Sequence, residues 1–266
     1  MTGVQDALPL GDIPYTLPSY LSPSSVGTFN QCPLRYKFSK LDKIPEPSTE
    51  AQVVGSFVHE VLELMFQLDE SNRTLGSARS IAKQLWEDKW CNEYDTLISK
   101  SPENEFRWKV WWCIENYFKV EDPSSFTPSG LETKVDGSIE GVPIFGIVDR
   151  WSVNDSGKLV VSDYKTGKKP KPQYSLDKKL QIIIYVELLE AMTGMVAELG
   201  ELIYLKSPAK VTYEANEENR NLVKTTLVKT WEELSSSCSS GVFEYRTGPL
   251  CNWCHYQSIC PAWRAK

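Results

Sequence analysis

Apolar residues recur at helical spacing in several stretches of the chain and at strand spacing in one. From Val53 to Leu68, Val54, Val58, Val61, Leu62, Met65 and Leu68 form one stripe, which predicts an amphipathic helix with His59 at the stripe's edge. Ser22-Pro23 opens a shorter helix through Val26 and Phe29, with Cys32 near its end before Pro33 disturbs it. Two more helical patterns, Ile81/Leu85/Trp86 and Phe106/Val110/Cys113/Tyr117, flank a break at Ser101-Pro102. Beyond Pro123 the texture changes. Leu131 to Val161 reads as β-branched runs punctuated at Asp136-Gly137, Glu140-Gly141 and Asn154 to Gly157, the signature of an antiparallel meander. A helix from Lys178 to Met192, strands at Leu202 to Leu205 and Val211 to Tyr213, and a helix from Glu217 to Ser235 complete the pattern.

This order predicts a single α/β domain, a mixed central sheet flanked by helices, with the helical segment near 70–130 as an insertion. The proline-rich residues 1–21 read as a flexible arm and 22–266 as the domain. No internal repeat is visible. At 266 residues, with 41% apolar and 24% charged positions, the chain can bury a core, which excludes disordered and low-complexity classes. No run approaches the roughly 18 apolar residues of a membrane span. The first 34 residues hold no Lys or Arg, so a secretory leader is not expected and the reading is a cytoplasmic protein without membrane contact.

The net charge of -6 argues against nonspecific coating of nucleic acid. Its distribution changes that picture. Between Tyr164 and Lys179 six lysines face one acid, Asp177, giving 6 - 1 = +5 and leaving -11 for the remainder. An acidic body with one basic strip meets a polyanion locally.

The strip begins at a chemically distinctive stretch. Gly146-Ile147-Val148-Asp149-Arg150 precedes the Asn154 to Gly157 turn, and Ser162-Asp163-Tyr164-Lys165 follows it. If the two flanks form a hairpin, Asp149 and Asp163 come side by side after apolar runs. Such a pair repels itself unless a proton or a divalent cation neutralises it, and Mg2+ or Mn2+ suits oxygen donors. Lys165, two residues beyond Asp163, shares its face and can hold an attacking water or offset phosphate charge. Gln181 and Tyr185 lie four apart on one face of the next helix. Taken singly, Asp149 could pair with Arg150, and Gln181 and Tyr185 could be a solvated face. The ordered set of His59, Asp149, D-x-K and Q-x-x-x-Y is more specific than its parts.

Seven cysteines are present. Cys251, Cys254 and Cys260 form C-x2-C-x5-C before Pro261, which in a reducing compartment reads as metal-binding; Cys91, Cys113 and Cys238 read as ordinary thiols. With Cys32 the set supplies four thiolates, suited to a [4Fe-4S] cluster or to Zn2+, with His255 as a substitute zinc ligand. Either would tie the two chain ends together. The aromatic run Phe106, Trp108, Trp111, Trp112, Tyr117 and Phe118 reads as helix core or as a base-stacking platform. Aromatics on all sides of one helix cannot all face a core.

The ordered set resembles the PD-(D/E)XK nuclease superfamily, and within it the RecB-like branch. The cysteine frame, with Cys32 in L-S-P-S-S-V-G-T-F-N-Q-C-P-L-R-Y, resembles the iron-sulfur nucleases of that branch, the CRISPR-associated Cas4-type exonucleases and the AddB-type nuclease. The likeness runs from Leu21 to Pro261, with Val148-Asp149 in place of the usual Pro-Asp. It implies a restriction-endonuclease-like fold and a [4Fe-4S] cluster on Cys32, Cys251, Cys254 and Cys260. It implies a Mg2+ or Mn2+ site made by His59, Asp149, Asp163 and the Tyr164 carbonyl. Lys165 would activate water, while Gln181, Tyr185, Lys168 and Lys169 would contact nucleic acid. The implied activity is metal-assisted hydrolysis of DNA, as an exonuclease on single-stranded or free ends in CRISPR adaptation or recombination, with protein partners in an integration or helicase complex. A non-catalytic DNA clamp is the competing expectation, and it predicts a lost carboxylate or lysine.

Overall fold

The computed structural model describes residues 15–90 and 102–264. Ser22 opens helix α1 (Pro23–Gln31) through a capping box. Its hydroxyl accepts from the Ser25 N–H at 3.1 Å while the Ser25 hydroxyl accepts from the Ser22 N–H at 2.8 Å. Cys32 is extended, and Pro33 starts the short α2 (Pro33–Tyr36) immediately after it. Helix α3 (Glu50–Phe66) begins before the apolar stripe because Thr49 and Gln52 form a second capping box, and it leaves Leu68 outside. Helix α4 (Leu75–Leu85) runs into a wider turn at Trp86–Trp90, and α5 (Glu103–Val120) completes this helical layer.

The sheet contains β1 (Gly130–Ile139), β2 (Val142–Val153), β3 (Leu159–Lys165), β4 (Ala197–Tyr204) and β5 (Ala209–Glu214), in that spatial order. Only the β3–β4 pairing is parallel. Helix α6 (Leu176–Thr193) supplies the crossover between them, and α7 (Glu217–Ser240) follows β5.

One expected turn is absent. Asp136 and Gly137 lie inside β1, opposite Phe145 and Ile144, and the chain reverses at Glu140-Gly141, where φ is 50° and 77°. Gly137 serves packing instead, since an added Cβ would stand 3.3 Å from Leu188 Cδ2 of α6. The expected arm also differs within its described part. Leu21 is fully buried and its N–H donates to Pro143 O at 2.9 Å, while the Tyr15 N–H donates to Cys238 O. Tyr15, Leu17 and Leu21 are therefore anchored on the core while Thr16, Ser19 and Tyr20 stay exposed, and 1–14 lie outside the described residues.

The sheet separates two cores. Val135, Ile144, Val148, Val161 and Leu202 pack with α1, α6 and α7 on one side. Tyr164, Ile203 and Leu205 join α3, α4 and α5 on the other. Helix α6 is buried nearly all round, which explains its continuous apolar run, Ile182 to Val186. Among the described residues no helix is long and apolar enough to cross a membrane.

A buried ionic network ties the helical layer to the sheet. Arg150 of β2 grips Glu121, just past α5, through two bonds of 2.7 and 3.1 Å, and donates to Ser162 Oγ at 3.0 Å and Tyr117 OH at 3.2 Å. Its guanidinium also lies over the Phe66, Phe126 and Tyr164 rings. Lys210 of β5 reaches Glu121 at 2.5 Å and Glu201 at 3.2 Å. Burial alone would raise the Glu121 carboxyl, but Arg150 and Lys210 outweigh it and hold the group below its ordinary 4.5.

Arg150→Ala should cost about 3–5 kcal/mol in urea unfolding, because it leaves buried carboxylates uncompensated. The lowered Glu121 pKa means that its ion pairs contribute fully above about 4.5 and that the contribution is lost as pH falls through the folded value. Glu121→Gln should accordingly be less stable than the parent at pH 7, and the gap should close on acidification below pH 4.5; a gap constant with pH would show that the carboxylate is not the source.

Candidate active site

The C-terminal end of β3 and the middle of β2, where the β2–β3 pairing stops at Arg150 and Ser162, meet α3 and α6 at one cleft. Arg150 stands opposite Ser162 in the β2–β3 ladder, so the next step along brings Asp149 and Asp163 together, as the hairpin reading requires. Both are buried. Asp149 Oδ2 accepts the Tyr164 N–H at 2.7 Å, and its Oδ1 lies 3.5 Å from His59 Nδ1 on α3. His59 Nε2 lies 3.1 Å from the Tyr164 carbonyl oxygen. One imidazole thus bridges the aspartate and the backbone carbonyl.

Asp163 faces the opposite wall. Its Oδ2 is 2.5 Å from Lys165 Nζ, and its Oδ1 accepts from Gln181 Nε2 at 3.1 Å. Lys165 donates to Gln181 Oε1 at 2.9 Å, and Gln181 Nε2 donates in turn to Tyr185 OH at 3.3 Å. The Tyr185 ring lies so close to β2 that a Cβ on Gly146 would sit 2.6 Å from Cε1. Gly146 is the backbone clearance that lets α6 deliver Gln181 and Tyr185. Arg150 does not pair with Asp149; its guanidinium is spent on Glu121.

A further carboxylate completes the group. Donor atoms of His59, Glu132 and Asp149 all lie within 4.8 Å of one another. Leu131 pairs with Arg150 and Thr133 with Val148, so Glu132 stands opposite Asp149. Its φ is +40°, a strained value for a glutamate. The signal was in the sequence. The Glu140-Gly141 turn sets Ile139 against Val142, and counting seven residues along each strand brings 132 to 149; a turn placed at Asp136-Gly137 conceals that register.

These groups crowd negative charge. Burial and then Asp149 push the Glu132 carboxyl up to about 7. Burial and Asp149 likewise raise Asp163, against the pull of Lys165. Burial opposes charge on Asp149 as well, but His59, the Tyr164 N–H and Lys165 outweigh it and hold that group low. For His59 burial is likewise outweighed, by Asp149 first, and its pKa rises to about 9. Asp163 Oδ2, buried beside the Lys165 ammonium, accepts no aligned hydrogen bond. The carboxylate and imidazole donors of His59, Glu132 and Asp149 are a set that could hold a divalent cation.

The cleft, about 640 Å³, is lined by His59, Tyr164, Lys165, Lys168, Tyr174 and Lys178, among others. Desolvation first, then the Lys165 charge, lowers the Lys178 pKa. Lys169 is exposed on the same loop and is not part of the lining.

A second cavity of about 230 Å³ gathers Cys32, Cys251, Cys254 and Cys260. All four are free thiols. Cys254 is raised by burial, with Cys260 and Cys32 adding to the shift. Among the described residues no carboxylate or imidazole lines this cavity, so the donor set is soft; the lining Arg35 and Arg246 are paired with Glu46 and Glu233. His255 is exposed and absent from the lining. The two chain ends meet here, with Leu34 N–H donating to Glu244 O at 3.2 Å and Tyr256 OH to Ile44 O at 3.1 Å. Cys113 and Cys238 are buried elsewhere, and Cys91 lies outside the described residues.

A mixed sheet with carboxylates and a lysine at adjoining strand ends describes a class of phosphodiester-cleaving enzymes. Residues 20–261 match the PD-(D/E)XK nuclease superfamily, and the chain belongs to it; it is a nuclease with the restriction-endonuclease-like fold. The chain is similar to the Gene 69 protein of Mycobacterium phage D29, 23% identical over 91% of this chain and 97% of the relative. It is 31% identical to the CRISPR-associated exonuclease Cas4 of Saccharolobus solfataricus over 45% of this chain and 52% of that one. A crystal structure from Eubacterium rectale, of a protein provisionally named an exonuclease, shares the fold with a TM-score of 0.54, covering 93% of this chain and 88% of its own at 14% identity.

Glu132→Gln should weaken Mn2+ binding in a calorimetric titration by about tenfold or more while leaving the fold intact. Unchanged affinity would remove Glu132 from the site.

Proposed function

We propose that the chain is a Mg2+- or Mn2+-dependent deoxyribonuclease that works as an exonuclease on single-stranded or free DNA ends. The observation that carries this reading is the convergence of His59, Glu132 and Asp149 donor atoms beside the Asp163–Lys165–Gln181 clamp. His59, Asp149, Asp163 and the Tyr164 carbonyl hold the ion, with Glu132 as an added donor. When bound there, a divalent ion would supply polarisation of the scissile phosphate and a water of lowered pKa. Lys165, restrained by Asp163 and Gln181, positions that water at its ammonium and offsets charge on the phosphate. Gln181 and Tyr185 form the wall against which the strand lies, and Lys168 and Lys169 meet its phosphates at the mouth. The chain needs no side-chain nucleophile for this chemistry.

The four cysteines hold a [4Fe-4S] cluster in this proposal, favoured over Zn2+ by the resemblance to iron-sulfur nucleases, since four thiolates suit either. Its role is structural, closing the chain's ends on one another, and it suits a reducing cytoplasm. The biological setting proposed is processing of DNA ends in CRISPR adaptation or recombination, beside partners of the integration or helicase kind. The clamp alternative expects a missing carboxylate or lysine, and the full set is present.

Asp163→Ala should abolish Mn2+-dependent cleavage of end-labelled single-stranded DNA while leaving the brown chromophore and iron content unchanged. Cleavage retained in that variant would overturn the assignment of the site. Stoichiometric zinc without iron would overturn the cluster, and digestion of circular DNA as fast as linear DNA would overturn the exonuclease mode.

A further inference from the structure

The aromatic run of α5 divides into two populations. Phe106 and Tyr117 are fully buried against α3 and the sheet, whereas Trp108 is 58% exposed and Trp112 37% exposed. The two exposed indoles stack on each other at 5.1 Å with 20° between their planes. Two large apolar side chains held in water at adjacent helical positions represent unrealised burial, and a stacked pair offers an open aromatic face at small entropic cost.

The pair adjoins the active-site cleft. The Trp112 indole N–H donates to the Lys206 carbonyl oxygen at 3.3 Å, two residues past Tyr204, which lines the cleft. Lys109, next to Trp108, pairs at 2.7 Å with Glu50, whose neighbours Ala51 and Gln52 line the same cleft. A cation stands on the pair itself. Lys119 Nζ lies 5.0 Å over the Trp112 ring and Lys206 adjoins it, while Lys109 is paired with Glu50 and helical spacing sets Glu105 and Glu115 on the stripe of 108, 112 and 119. A surface offering π-faces amid lysines, continuous with a cleft whose own lysines meet phosphate, matches a flexible polynucleotide with unpaired bases. A duplex keeps its base faces covered.

We propose that Trp108 and Trp112 form a base-stacking platform that holds single-stranded nucleic acid as it passes between the catalytic cleft and solvent. The platform rests on the nuclease reading for its substrate class. Its binding is measured without metal, so the two readings fail separately.

The test is fluorescence anisotropy of a labelled oligothymidylate with the full-length protein in EDTA. Trp108→Ala should raise Kd between about 5-fold and about 100-fold, the range expected for losing one stacked base. Trp108→Phe should remain within about 3-fold of the parent, since it keeps a π-face. An abasic oligomer of the same length, which keeps the charge and lacks the rings, should bind parent and Trp108→Ala equally. Equal melting temperatures of parent and variants would confirm that an exposed position has been changed without unfolding. Oligothymidylate affinity unchanged in both Trp108→Ala and Trp112→Ala would overturn the platform, as would an equal loss on the abasic oligomer or on duplex DNA. A parent that binds the oligomer through Trp108 yet never cleaves DNA with Mn2+ would refute the nuclease reading and leave the platform standing.

Discussion

The grip of Arg150 on Glu121 is the constraint on which the rest of the molecule depends. A guanidinium 2% exposed must find its partners inside the protein, and here they are Tyr117 of α5, Glu121 just past it, Ser162 of β3 and Glu201 of β4. An apolar contact tolerates sliding, whereas a fork of donors meeting a carboxylate does not. The helical layer is thereby fixed in register with the sheet. Because α3 belongs to that layer, the same register decides where His59 arrives relative to Asp149. The residue beside the site aspartate carries the structural charge, and adjacent positions on β2 divide the work between assembly and chemistry.

Much of this was legible in the chain. Apolar spacing located α3, α6 and α7 within a few residues, because each buries a continuous face. The D-x-K strand and the helix bearing Gln181 and Tyr185 were readable because their spacing follows directly from strand and helix geometry. The cysteines could be grouped by type and spacing, although nothing local showed that Cys32 lies opposite the C-terminal three. That meeting depends on the packing of α1 against α7 and on residues 15–21, the end of a segment whose prolines at 9, 14 and 18 gave the composition of a loose arm while Leu21 supplied a buried anchor.

What escaped was information held between elements. Glu132 has no motif around it and gains its place from pairing across the hairpin, which a wrongly placed turn hides. Glu121 looks like an ordinary charge after a helix until Arg150 is placed beside it. The split of the α5 aromatics into core and surface follows from which face of the helix meets α3, a matter of tertiary packing. Local physics selects elements; pairing selects the partners of each charge.

The parallel pairing of β3 with β4 has a consequence for synthesis of the protein. Leu159 pairs with Ala197 across the α6 connection, and the contact of His59 with the Tyr164 carbonyl closes over 105 residues. Long-range closures of this kind come late in folding. A growing chain that has produced both aspartates still lacks the α6 wall and the strand that aligns Lys165, so hydrolytic competence arrives with completed topology.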